Sequence, residues 1–142
     1  MALMRIGTRM ATEFDQHFFD LGINQSQFRM LLTVWIEGGR TGIQPSVLAD
    51  RLLIERGTVS ILASRMVKLG WLERLPGPNR RSHLLRLTRA GGQMLERCAP
   101  RASDLGNETF ASLSPQQLEA MYANLNAIEN ELRSVKIKGV KT

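Results

Sequence analysis

The chain has 142 residues, 43% of them hydrophobic and 23% charged, with a single cysteine. This is one domain's worth of polypeptide with enough apolar material for a core. Cys98 alone excludes an intrachain disulfide, and no apolar run reaches the ~18–20 residues that a membrane span requires. No signal-peptide pattern opens the sequence, so a cytoplasmic setting is expected and a membrane partner is not. The net charge is +6, and the excess is local. Residues 40–91 carry ten basic and three acidic side chains, whereas residues 1–39 carry three and four and residues 92–142 six of each. A plain solvated face has such a composition, but its concentration in one segment points to a polyanionic partner.

Leu3, Ile6, Met10, Phe14, Phe18 and Leu21 recur every three or four residues, the spacing of an amphipathic helix, and Gly22 ends it. Asn24 with Gln27 three residues on forms a capping-box signal for a second helix. That helix carries Phe28, Leu31, Leu32 and Trp35 on one side and stops at Gly38 and Gly39. Residues 40–44 are a short link and a candidate strand. Pro45 suits the first position of a helix that runs through Val47, Leu48, Ala49 and Leu52 to about Leu53. After the break "IERG", the segment "TVSILASRMVKL" turns Val59, Leu62, Ala63, Met66 and Leu69 inward, and Gly70 closes it.

Pro76, Gly77, Pro78 and Asn79 are turn formers between two apolar runs, 71–75 and 83–87, which predicts a hairpin with Arg80 and Arg81 near its tip. Thr88 caps a long helix from Arg89 to about Ser112, with a kink expected one turn before Pro100. Ser114, Pro115 and Gln117 combine a cap, a proline at the first helical position and a capping-box partner. The last helix shows Leu118, Met121, Leu125, Ile128, Leu132 and Val135, alternating spacings of three and four that make a narrow heptad seam. A second subunit or the first helix of the same chain would cover it. The tail "KIKGVKT" is basic and expected to fray.

Helix, turn, helix, strand, basic loop, strand is a winged helix-turn-helix. The expected fold is mostly α with a small β wing, flanked by N- and C-terminal dimerisation helices. It divides into residues 1–39, the DNA-binding lobe 40–88, and 89–142. In the second helix of the motif Thr58, Ser60, Ile61, Ser64, Arg65 and Lys68 face outward. Short hydroxyls at Thr58, Ser60 and Ser64 let a helix lie deep in a major groove. Gly57 opens the helix N-terminus to phosphate, and Arg56 and Arg65 suit guanine or phosphate. Arg80 and Arg81 suit a narrow minor groove, or ion pairs with Asp50 or Glu55. The expected partner is double-stranded DNA. No nucleophile motif, phosphate loop, paired carboxylates or metal-ligand spacing is present, so neither an enzyme nor a cofactor is expected. A winged helix that binds protein instead is the rival; its recognition face would be apolar or acidic, and only Ile61 fits that.

The stretches "GINQSQFRML", "PSVLADRLLIERGTVSILASRMVKLGWLER" and "NRRSHLLRLTRAGGQML" resemble the MarR family of bacterial transcription regulators. The resemblance implies a homodimeric repressor whose first and last helices form the dimer body, with Leu118, Met121, Leu125, Ile128 and Leu132 in the seam. It also implies a minor-groove contact by Arg81 and a small aromatic or phenolic effector. Met10, Phe14, His17, Met30 and Trp35 are what an effector cleft would draw on, but a set of aromatic and methionine side chains at helical spacing is more often plain core, so no pocket is assigned. Cys98 matches buried packing better than an oxidant sensor. Asn79 stands where the family usually has aspartate, which replaces a wing-bracing ion pair by a neutral hydrogen bond. Ile61 stands where many members carry arginine or another polar residue, which implies an altered base preference or an apolar contact with a thymine methyl.

Overall fold

A computed structural model describes residues 1–139, the side chains of 136–139 excepted; the last helix runs on to Gly139, into the tail expected to fray, and 140–142 lie outside the described residues. Helix α1 (Ala2–Phe18) tightens into a single 3-10 turn, Phe19–Leu21, before Gly22. Asn24 then caps α2 (Gln25–Thr33). Its side chain accepts from the Gln27 amide at 2.9 Å, and the Gln27 side chain accepts from the Asn24 amide at 3.1 Å. That is the capping box the sequence announces. The end of this helix departs from expectation. It widens into a π-helical turn, Val34–Gly38, which shifts the phase of the apolar side by part of a turn. Val34 is buried in consequence, while Trp35, expected on the apolar side, is 59% exposed.

The core of the first compact unit, Met1–Leu105, gathers one stripe from each element. Phe18, Met30, Leu31 and Val34 meet Leu48 of α3 (Pro45–Leu52), Val59 and Met66 of α4 (Arg56–Lys68), and Leu72 and Leu85 of the hairpin. Rings of Phe14, Phe18 and Phe28 pack with centroids 4.9–6.1 Å apart. Phe14 and Met30 are therefore core, and Trp35 faces out, so the set considered for an effector cleft does not converge on one.

The link 40–44 is not a strand. Only Ile43 pairs, exchanging two 2.9 Å backbone bonds with Leu85. Gly42 at φ 88° breaks the extended run on one side and Pro45 starts α3 on the other, leaving one residue in register.

Strands β1 (Leu72–Pro76) and β2 (His83–Leu87) pair antiparallel from Leu72 opposite Leu87 to Pro76 opposite His83. Thr88 accepts the Gly91 amide at 3.0 Å on its hydroxyl and donates that hydroxyl to the Gly70 carbonyl, so it caps α5 (Arg89–Thr109) and ties it to the end of α4. α5 is continuous through Pro100 and stops short of Ser112. Arg101 fixes it to the end of α1, with 2.8 Å bonds to both Asp20 oxygens and a 2.7 Å bond to the His17 carbonyl. The Arg101 guanidinium holds the Asp20 carboxyl below the usual carboxylate range. Cys98 is fully buried in the core, and burial pushes its thiol up, away from the reactive thiolate.

The second unit begins at Gly106 and contains α6 (Pro115–Gly139). Ser114 and Gln117 form its capping box at 2.8 and 3.2 Å. On α6 the seam is half-buried at Leu118 and Met121, then open: Leu125, Ile128, Leu132 and Val135 are 42–62% exposed. Among the described residues no helix is long and apolar enough to cross a membrane.

Candidate nucleic-acid interface

Helices α3 and α4 are joined by three residues, 53–55, with Leu53 in left-handed conformation at φ 54°. α4 begins two residues before the expected start, so Arg56, Gly57 and Thr58 fill its first turn. A cation at the positive end of a helix does not stabilise it. Arg56 therefore stands exposed in the first turn against the helix's own electrostatics.

Val59, Ala63 and Met66 are the buried line of α4. At about 100° per residue, Ile61 lies almost opposite that line. Thr58 and Arg65 then flank Ile61 on one side, and Ser60 and Ser64 on the other. Gly57 and Lys68 lie close to the line of Ile61 itself, and Lys68 ends the helix. Leu62 and Leu69 fall on the flank of the buried arc. Leu62 is half-buried, and Leu69, expected to face inward, is 48% exposed. Gly70 completes a Schellman turn with backbone bonds of 3.0 Å from Gly70 to Val67 and from Trp71 to Met66.

The wing tip closes on itself. Gly77 donates to the Ser82 carbonyl at 3.0 Å, and Ser82 donates back to Asn79 at 3.2 Å. A Cβ at Gly77 would meet the Ser82 hydroxyl and lie 2.7 Å from its carbonyl carbon, so the tip tolerates no side chain there. Asn79 Oδ1 accepts the Arg81 backbone amide at 3.1 Å, a neutral bond that braces the tip. The side chains of Arg80 and Arg81 are left exposed and without an ion pair, to Asp50, Glu55 or any other carboxylate among the described residues.

Two other cations of the basic segment are already paired. Arg86 holds Glu73 across the hairpin at 2.7 Å and donates to the Arg40 carbonyl at 3.2 Å, and Arg51 pairs with Glu37 at 3.3 Å. Among the described residues Arg56, Arg65 and Lys68 on α4 and the two arginines of the tip make no ion pair, and neither do Arg40, Arg74 and Arg89, so the segment keeps a cationic surplus that includes the outward face of α4 and the wing tip. Ser64 departs from its expected freedom: its hydroxyl accepts from Arg74 of β1 at 2.9 Å, joining the helix to the wing.

Two bordering cations escape a reading of the helix-turn-helix alone. Arg74 sits at the seam between α4 and β1. Arg29 of α2 donates to the Leu52 carbonyl at 3.3 Å on the rim of a groove of about 320 Å³, which Ser26, Thr58, Ile61 and Arg65 also line. The signal for Arg29 lay in the sequence, as the only cation of α2. Its closeness to α4 did not. Among the described residues no cluster of His, Cys, Asp and Glu could hold a metal ion.

Comparison with known proteins agrees with this geometry. Residues 21–82 match the model of the MarR family. The multiple antibiotic resistance protein MarR of Salmonella typhimurium is 31% identical over 103 residues, 71% of this chain and 69% of that protein. A mutant MarR from E. coli complexed with operator DNA superposes with a TM-score of 0.79 at 24% identity, over 89% of this chain and 90% of the other. CouR from Rhodococcus jostii RHA1, bound to p-coumaroyl-CoA, shares the fold with a TM-score of 0.81 at 15% identity over 90% and 88%. The fold is thus a winged helix-turn-helix with flanking helices, and the chain belongs to the MarR family of transcription regulators.

Proposed function

We propose that the protein is a homodimeric, sequence-specific repressor that binds a pseudo-palindromic operator in double-stranded DNA. One observation carries the reading: the unpaired cations Arg65 and Lys68 lie on the outward side of α4, Arg56 is exposed in its first turn, and Arg80 and Arg81 stand on the wing tip. α4 enters a major groove with Gly57, Thr58, Ser60 and Ser64 close to the bases and backbone, and the wing arginines reach the adjacent minor groove. Two-fold pairing through Leu118, Met121, Leu125, Ile128 and Leu132 sets the two recognition helices roughly 34–36 Å apart, one turn of duplex. Occupation of the operator excludes polymerase. A small aromatic or phenolic effector relieves repression by changing the helix spacing; the phenol-bearing ligand of the fold neighbour CouR supports that class.

Selection of bound fragments from random duplex DNA, followed by anisotropy titration, tests the reading. An enriched inverted repeat bound by a particle of two chains is the expected result, with release on adding a phenolic acid or its thioester. Failure to enrich any duplex at low salt would overturn it.

A further inference from the structure

The centre of the recognition face is apolar. Ile61 is 75% exposed and stands nearly opposite the buried line of α4, so it is the side chain that projects furthest towards whatever the helix meets. Cationic and hydroxyl groups surround it: Thr58 and Arg65 on one flank, Ser60 and Ser64 on the other. Leu52, Ile54 and Leu62 lie deeper in the groove that Ile61 lines, and the polar groups beside Ile61 on the helix suit a partner whose surface mixes hydrogen-bonding and apolar groups. Within a major groove, hydrogen-bonding edges line every base pair, and the one apolar group on offer is the C5-methyl of thymine. A branched aliphatic side chain forced against a donor or acceptor would strip water from it without repayment. Against a methyl it loses nothing and removes apolar surface from water.

Resting on the DNA-binding reading above, we infer that Ile61 is a specificity-determining residue that selects a thymine, through its 5-methyl group, at one position of each operator half-site. Thr58 and Arg65 line the same groove as Ile61 and contact the neighbouring base edges or phosphates, which fixes the register in which the methyl is met.

The test uses the duplex recovered by selection. Each thymine is replaced singly by deoxyuridine, which removes only the methyl, and binding is titrated for the wild-type chain and for Ile61→Ala. One thymine per half-site should prove sensitive, its replacement weakening wild-type binding about fourfold, while Ile61→Ala binds the two duplexes alike. Repeating the selection with Ile61→Arg should change the preferred base at that position to guanine, which arginine reads through two acceptors. No thymine with a methyl effect, the same methyl effect in both proteins, or an unchanged base preference for Ile61→Arg would overturn the inference and leave DNA binding intact. Failure of the wild-type chain to enrich any duplex would overturn both.

Discussion

α4 and α6 are both amphipathic, and they dispose of their apolar sides in opposite ways. α4 buries Val59, Ala63 and Met66 completely inside its own unit and turns cations and hydroxyls outward. α6 leaves Leu125, Ile128, Leu132 and Val135 uncovered along a seam of heptad spacing. A helix whose apolar stripe is covered meets its partner through polar chemistry; one whose stripe is bare calls for an apolar partner. The same chain thus prepares two kinds of surface, one suited to a polyanion and one suited to an apolar partner.

The comparison breaks most visibly at α6. Charging the seam with Leu125→Glu and Ile128→Glu should halve the particle mass in light scattering. It should also lower operator affinity by roughly 100-fold or more, since the second half-site then binds without the effective concentration that linkage supplies. An intact dimer would show that the seam does not hold two chains together. On the other side, Arg81→Ala should weaken binding by about tenfold and make the salt slope shallower by about one. Unchanged affinity and slope would remove the wing from the interface. The smallest effect concerns how the first unit closes its own contacts. Asp20 has a lowered pKa in the fold, so its bond to Arg101 contributes above the ordinary carboxylate pKa of about 3.9 and is lost as pH falls through the lower folded value. Thermal unfolding followed from pH 5 to pH 2 should therefore fall more steeply for the wild-type chain than for Asp20→Asn. Equal slopes would show that the pair contributes nothing.

Periodicity and caps made most of the fold legible. The boxes at Asn24 and Ser114, the cap at Thr88 and the strand His83–Leu87 all follow from local chemistry that tertiary packing does not override. What escaped was phase. The π-helical turn after Thr33 turned Trp35 outward, and no residue in that stretch announces a wider turn. Leu69 failed because its angular place is the flank of the buried arc, where a periodic count cannot separate half-covered from covered. At the interface, residue types on α4 and at the tip were readable, and their two flanks followed from helix geometry. The bond from Arg74 to Ser64, and the approach of Arg29 to the groove, join residues 10 and 23 apart in sequence; only the folded chain brings those pairs together.

The central claim is that five unpaired cations per chain meet duplex DNA, and the salt dependence of operator binding tests it most directly. A plot of log affinity against log salt concentration should be linear with a slope between about −4 and −9, the range that five to ten displaced counterions produce. A slope near zero, or no binding at low ionic strength, would contradict the account.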